Sequence, residues 1–456
     1  MAQKKPSPPP AYFLSLSLEN VRSFRENQKI SFANSDGKPA QWTIILGDNG
    51  VGKTTVLKSL AMLMPSLDTT TEQADYFDSS FRKWSSRWWP IRNKGENSLS
   101  INYEAHVGTF SEENSINKFP DLGSRDFPAV HVPGHSERDK FRYLSATQAV
   151  PAHLERLAGF GYGAGRATGK STLGEVSELK DNCFSLFDDR ADLLNPEEWF
   201  LQADYRLKSN DAGITKQNFD LLRDALIKVL DDITDLKVSP VSSGGNPEQG
   251  LQLLSPYGWV RLRDMSLGYQ TLAVWLTDFA SKLFIRYDKS KNPLEEPAIV
   301  LIDEIDLHLH PSWQRKLIRF LSEIFKNTQF IATAHSPLVV QAAGDIQANV
   351  VLLKREGNHT VVVSDLPDIR LWRIDQILNS ELFDEVPAHS LDTEKALDRR
   401  DYLLAKKNPT AKDREELDVL NRFTHGKPVG ESSSERRAAD VLRELARKIG
   451  KQDMLD

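Results

Sequence analysis

Gly47-Asp48-Asn49-Gly50-Val51-Gly52-Lys53-Thr54-Thr55 follows the apolar run Trp42-Thr43-Ile44-Ile45-Leu46 and precedes a helix-like segment, 56–63. These residue types at this spacing suit phosphate. A strand must turn sharply into a helix while several backbone N–H groups converge on one anion, and loop glycines permit this without Cβ clashes. The helix N-terminus adds partial positive charge. The backbone at Asn49, Gly50 and Gly52 would wrap the phosphates, and Lys53 would reach the β- and γ-phosphates. The Thr54 hydroxyl would ligate a magnesium ion that bridges them, and Thr55 offers a further hydroxyl.

Three later positions fit the same chemistry. Ala298-Ile299-Val300-Leu301-Ile302-Asp303-Glu304 is an apolar run ending in two carboxylates, as expected of a buried parallel strand whose carboxyl end meets a ligand. Asp303 would hold the magnesium, usually through its water shell, while Glu304 would polarise the attacking water or accept its proton. Upstream, Ser266 and Gly268 open a predicted helix, 271–276, and make a second anion site at its N-terminus. Downstream, a further strand at 328–334 stops at His335, which could touch the γ-phosphate.

The rest of the chain must position these groups. With 456 residues it can bury a large core. Charged residues are 27% and the formal net charge is −6, so no global basic field advertises nucleic acid or membrane. The lone Cys183 excludes an intramolecular disulfide framework and a cysteine zinc site. Residues 1–10 carry two lysines and four prolines but no apolar core, so they read as a flexible tail and not as a signal peptide. No apolar run approaches the length of a membrane span, and the expectation is a soluble, cytoplasmic protein.

Apolar–polar alternation at 13–19 and 28–32 predicts paired strands before the phosphate-loop strand, and 99–107 alternates in the same way. Between them Arg82, Trp84, Arg87, Trp88 and Trp89 interleave. Such a pattern either stacks nucleic-acid bases or, more commonly, packs aromatics against arginines at a core edge or subunit contact. Residues 108–134 read as a surface excursion. Residues 159–171 end like a second phosphate loop, yet Ala164 stands where the first glycine belongs. This segment is therefore a tight structural loop, or one whose Arg166 faces phosphate or a neighbouring subunit.

Residues 184–236 look helical, with a helix start at Asn195-Pro196 and a 3.6 period over 219–230. A turn at 242–247 precedes short strands at 251–254 and 260–262. Segments 349–354 and 360–363 flank Arg355-Glu356-Gly357-Asn358-His359 as a hairpin. From Leu391 the chain is charged and helical. Near its end a helix capped around Ser434 carries the stripe Ala438, Val441, Leu442 and Leu445, which packs on its own subunit or docks a partner.

The order of phosphate loop, Ser-x-Gly segment, Asp-Glu strand and terminal histidine resembles that of ABC-type ATPase heads in the branch that includes SMC, RecF and OLD-like proteins. Ile302-Asp303-Glu304-Ile305-Asp306-Leu307-His308-Leu309-His310-Pro311-Ser312-Trp313-Gln314 is similar to a run in the PtuA-type ATPases of Septu antiphage defence systems, as is the later segment 373–383. The resemblance covers 11–56 and 250–383. It implies that Ser266 and Gly268 contact nucleotide bound to the opposite subunit, so that two ATP molecules are sandwiched in a head-to-tail dimer. The residue after the signature glycine is Tyr269 and then Gln270, where relatives have Gln or Glu, so either of these would touch phosphate. Gln148 is the candidate magnesium-sensing glutamine, and Arg22 and Phe24 match the segment that flanks the nucleotide base in relatives.

The fold expected is α/β: an ABC-type phosphate-loop ATPase head with a mixed sheet flanked by helices, a helical insertion and a helical C-terminal extension. Its segments would be a tail (1–10), a first lobe with the loop (11–110), a mainly helical insertion (111–249), a second lobe (250–386) and a charged helical partner or oligomer region (387–456). The resemblance further implies ATP and Mg2+ as ligands, a homodimer or higher homo-oligomer, and a separate HNH-type nuclease partner gated in antiphage defence. DNA would be met through the complex, and no membrane is involved. A RecF- or SMC-like DNA-binding repair ATPase is the alternative. A self-contained OLD-like nuclease is disfavoured: its metal site needs a Glu-Gly pair and a later Asp-x-Asp, and only Glu356-Gly357 is present.

Overall fold

The computed structural model describes residues 11–62, 64, 102–109, 127–129, 158–168, 182–188, 191–209, 215–230, 232–243, 246–363, 366, 368–384, 390–406 and 409–424. The tryptophan-rich segment 81–90, Gln148 and the helix expected near Ser434 lie outside these residues. The chain divides into two compact units, Met1–Leu371 and Trp372–Asp456.

The first unit opens with β1 (Ala11–Glu19), β2 (Gln28–Ser31), β3 (Trp42–Gly47) and α1 (Lys53–Met62), then β4 (Asn102–Thr109) and β5 (Phe127–Ala129). Next come β6 (Gly159–Tyr162), β7 (Ala167–Thr168), β8 (Asp192–Leu193), α2 (Pro196–Ser209), α3 (Lys216–Val229), β9 (Asp235–Ser243), β10 (Asn246–Ser255) and β11 (Gly258–Arg261). It ends with α4 (Leu267–Arg286), β12 (Ala298–Ile302), α5 (Pro311–Ile324), β13 (Thr328–Thr333), α6 (Pro337–Asp345), β14 (Asn349–Glu356) and β15 (His359–Val363).

A six-stranded sheet in the order β15-β14-β3-β13-β12-β6 organises this unit. Its strands from β14 to β6 run parallel, and β15 returns antiparallel as the second arm of the predicted hairpin. Strands buried on both faces favour apolar residues at every position, which is why β12 reads as an unbroken run and β3 is interrupted only by Thr43, while β13 buries Thr328, Gln329 and Thr333 as well. On one face Ile45, Ile299, Leu301 and Ile331 meet Val56, Leu57 and Leu60 of α1 and Phe13, Leu16 and Ile30 of the β1–β2 layer. On the other face a file of rings forms: Trp42 stacks on Phe330 at 4.2 Å, Phe325 meets Phe279 at 4.9 Å, and Phe279 meets Phe160 at 5.0 Å. Each fully buried ring contributes roughly 1.5–3 kcal/mol before entropy is counted.

The β1–β2 layer is part of an antiparallel sheet ordered β2-β1-β4-β5. It is tied to the central sheet where β1 is irregular: the buried Gln329 amide accepts from the Phe13 N–H at 2.9 Å and donates to the Phe13 carbonyl at 2.8 Å. A second antiparallel sheet, β11-β10-β9, precedes α4.

Two expectations change here. The glycine-rich 159–162 is a strand, not a loop, and it forms the edge of the central sheet against β12. Glycine alternates with Phe160 and Tyr162, and a Cβ on Gly161 would run into Leu186, so this period-2 pattern packs only as a strand with one bare face. The segment expected as a mainly helical insertion therefore supplies a strand of the head, and its described residues include β9 as well as α2 and α3.

The second unit contains α7 (Ile374–Leu378), α8 (Leu391–Leu404) and α9 (Ala411–Thr424). Helix α9 starts on a reciprocal cap. Thr410 Oγ1 accepts from the Asp413 N–H at 3.2 Å, and the Asp413 carboxylate accepts from the Thr410 N–H at 2.6 Å. Arg399 of α8 forks onto the Glu416 carboxylate of α9 at 2.8 Å through both nitrogens.

Candidate nucleotide site

The phosphate loop joins β3 to α1 as expected, and it is held from below. Gly52 has φ +102, and a Cβ there would meet Ser23 Oγ at 2.5 Å and the Phe24 ring at 2.9 Å. Ser23 Oγ and Thr360 Oγ1 both donate to the Val51 carbonyl, at 3.1 and 2.7 Å. The hairpin arm β15 and the turn after β1 thus clamp the loop. Asp48, Asn49 and Gly50 are left exposed at its crest, with Gly50 at φ +83.

Phe24 and Arg22, expected to flank the nucleotide base, are placed differently. The Phe24 ring is fully buried beneath Gly52 and supports the loop, whereas Arg22 is exposed with φ +48. Steric fit decides this: the space a glycine leaves is filled by the ring.

Lys53, at the first turn of α1, is 7% exposed. Its ammonium folds back onto the carbonyls of Gly47 at 2.6 Å and Asp48 at 2.8 Å. Burial pushes its pKa below the ordinary lysine value, opposed by the nearby charges of Asp303 and Glu304. A largely buried cation hydrogen-bonded to two carbonyls is suited to an anionic ligand. Thr55 is buried, while Thr54 reaches across the sheet end and donates to Asp303 Oδ2 at 2.8 Å.

Strands β3 and β12 are separated by β13, and Thr333 at its end bridges them. The fully buried Thr333 hydroxyl donates to Asp303 Oδ1 at 2.7 Å and accepts the Glu304 N–H at 2.7 Å. Asp303 is thereby fixed on both carboxylate oxygens, and its N–H donates to the Tyr162 carbonyl at 2.8 Å. Glu304 follows in the left-handed region, φ +50, partly exposed. The residues present fit a magnesium site: a hydroxyl and a carboxylate already in contact at the carboxyl end of a parallel sheet supply hard oxygen donors.

His335 lies just beyond Thr333 with an exposed side chain. Its N–H donates to Asp306 Oδ2 at 2.9 Å, and Ser336 Oγ donates to Gln314 Oε1 at 2.6 Å. Gln314 in turn donates to the Leu309 carbonyl at 3.0 Å, so the turn after β12 and the turn after β13 are fastened together. The Ser-x-Gly segment is also ordered. Ser266 is the N-cap of α4, exposed, with no capping bond from its hydroxyl. Gly268 lies against the His308 carbonyl, where a Cβ would stand at 2.6 Å. Tyr269 packs edge-on to Trp313 at 4.2 Å, and Gln270 donates to the Met265 carbonyl at 2.7 Å. Both side chains named as alternatives for phosphate contact are engaged within their own subunit.

Three contributors to this geometry were not singled out from the sequence: Ser23, Thr360 and Thr333. Thr333 alone carried a signal, a hydroxyl two residues before the strand-ending histidine. Arg166, read as a loop residue that could face phosphate, instead donates to the carbonyls of Asp303 at 2.7 Å and Glu304 at 2.9 Å.

Residues 15–120 match a family model described as an AAA domain, and residues 187–341 match one described as AAA domain, putative AbiEii toxin, Type IV TA system. Over 438 residues, 94% of this chain and 52% of the other, the chain is 26% identical to the Septu protein PtuA of Bacillus mycoides (strain KBAB4). The chain is thus related to PtuA over most of its length and matches AAA-domain models over two segments. It spans about half the length of that relative. It is also 23% identical to the Retron Vc95 probable ATPase of Vibrio cholerae serotype O1 biovar El Tor, over 74% of this chain and 73% of the other. Among solved structures, the SmcHead bound to the C-winged helix domain of ScpA matches 77% of this chain and 97% of its own at 15% identity and a TM-score of 0.39. At that score the overlay decides nothing, and the ATPase-head fold rests on the strand order and the loop at the end of β3. Among the described residues no helix is long and apolar enough to cross a membrane.

Proposed function

We propose that this head binds ATP with magnesium at 47–55 and hydrolyses it slowly in a head-to-tail dimer, whose assembly state gates a separate HNH-type nuclease in antiphage defence. One observation carries the ATPase reading: the contact of Thr54 Oγ1 with Asp303 Oδ2 at 2.8 Å, which brings the loop and the acidic strand to one point. The nuclease partner and the defence role rest on the kinship with PtuA and a retron ATPase.

In this reading Lys53 leaves the Gly47 and Asp48 carbonyls and turns to the β- and γ-phosphates, where its charge is better satisfied. Thr54 and Asp303 would hold a magnesium ion, which would neutralise charge on the phosphate oxygens. Glu304, placed by the turn after β12, takes the proton of the attacking water, and His335 sits near the transferred phosphoryl group. Ser266 and the N-terminus of α4 face the γ-phosphate held by the partner subunit.

Glu304→Gln keeps shape and hydrogen bonding but removes the base. Turnover should fall by about 10²–10⁴-fold while ATP binding persists. With ATP, the variant should run as a dimer or larger by light scattering. An unchanged monomer mass in saturating ATP contradicts the sandwich, and wild-type-like turnover contradicts the role of Glu304.

A further inference from the structure

Arg166 follows β6 and is 7% exposed, among the most buried cations described. Among the described residues it pairs with no carboxylate side chain. Its two terminal nitrogens instead donate to the consecutive carbonyls of Asp303 and Glu304, at 2.7 and 2.9 Å, and its buried Nε has no partner among the described residues. Burying a guanidinium for two carbonyl contacts is costly unless the held geometry matters. That geometry is unusual: Glu304 stands at φ +50, a conformation that costs a residue with a Cβ about 1–3 kcal/mol. The opposite side of the same peptide pair is held by Thr333 and by the Tyr162 carbonyl. The turn is thus gripped from both flanking strands. Burial pulls the Arg166 pKa down to about 10, against the nearby acids, which leaves it protonated at neutral pH.

We infer that Arg166 is a positioning residue for hydrolysis: its fork locks the left-handed turn that aims the Glu304 carboxylate at the attacking water. The inference rests on the proposed ATPase reading of the site. Lys53 and Thr54 bind nucleotide from another element, so loss of the fork should impair the chemical step and spare binding.

The test compares steady-state ATP turnover and fluorescent ATP-analogue affinity for the full chain, wild type and with Arg166→Ala, Arg166→Gln and Arg166→Lys. The alanine variant should lose about a hundredfold in kcat, as expected for a misaimed catalytic group, with KM and analogue affinity within about threefold. Added guanidinium should restore part of that turnover, an effect a merely structural role would not produce. Arg166→Gln, which keeps one planar donor, and Arg166→Lys should fall between, and they carry the test if the alanine variant does not fold. Turnover within threefold of wild type in the variants overturns the inference. So does a parallel loss of kcat and affinity without guanidinium rescue. A wild-type chain that binds ATP without turning it over would instead overturn the ATPase reading itself.

Discussion

The phosphate-loop end and the signature end of this head are built differently. At the loop, Ser23, Phe24 and Thr360 brace the backbone, Lys53 is folded onto loop carbonyls, and Thr54 is already bonded to Asp303. At the signature, the packing side chains are committed, Tyr269 to Trp313 and Gln270 to Met265, yet Ser266 and Leu267 are exposed and the Ser266 hydroxyl caps nothing. One end is organised around a ligand its own subunit can hold. The other has a fixed backbone and an uncommitted tip, which is the arrangement expected of a surface completed by something outside the subunit.

That contrast can be broken at either end. The largest effect is expected at the signature. Gly268→Ala puts a methyl at 2.6 Å from the His308 carbonyl, and since neither backbone can yield cheaply the α4 start must shift. Overpacking of this kind costs about 1–3 kcal/mol. Thermal melting should register that loss, and ATP-dependent dimerisation should weaken while affinity for nucleotide in the monomer is kept. A smaller effect is expected at the loop. Thr360→Val removes one of the two donors to the Val51 carbonyl, at a net cost of about 1 kcal/mol, since Ser23 still satisfies it. The loop should loosen, raising KM for ATP severalfold with kcat nearly unchanged. Equal effects of both substitutions on binding and on assembly would erase the distinction between the ends.

Much of the site was legible because its strands are buried on both faces. Residues 42–46 and 298–302 announce themselves as largely apolar runs, and each leads into residues with chemistry. The β14–β15 hairpin was legible from its turn residues. What stayed hidden depends on contacts between residues far apart in the chain. The packing of the Phe24 ring into the bare face of Gly52 joins residues 28 positions apart and leaves no local pattern. The glycines of β6 suggested a loop, although Phe160 and Tyr162 alternate with them at the period of a strand. Arg166 stands out in its glycine-rich setting, but its role stayed hidden because its partners are backbone carbonyls 137 and 138 residues away.

The claim that one nucleotide site is shared between two copies of this chain is tested most directly by complementation. Lys53→Ala disables the loop end and Ser266→Arg blocks the signature end, and each variant alone should turn over no ATP. Mixed, they form heterodimers in which the intact loop of one subunit meets the intact signature of the other, and turnover should return. Wild-type-like turnover by Ser266→Arg alone, or no recovery in a mixture that demonstrably heterodimerises, would contradict a shared site.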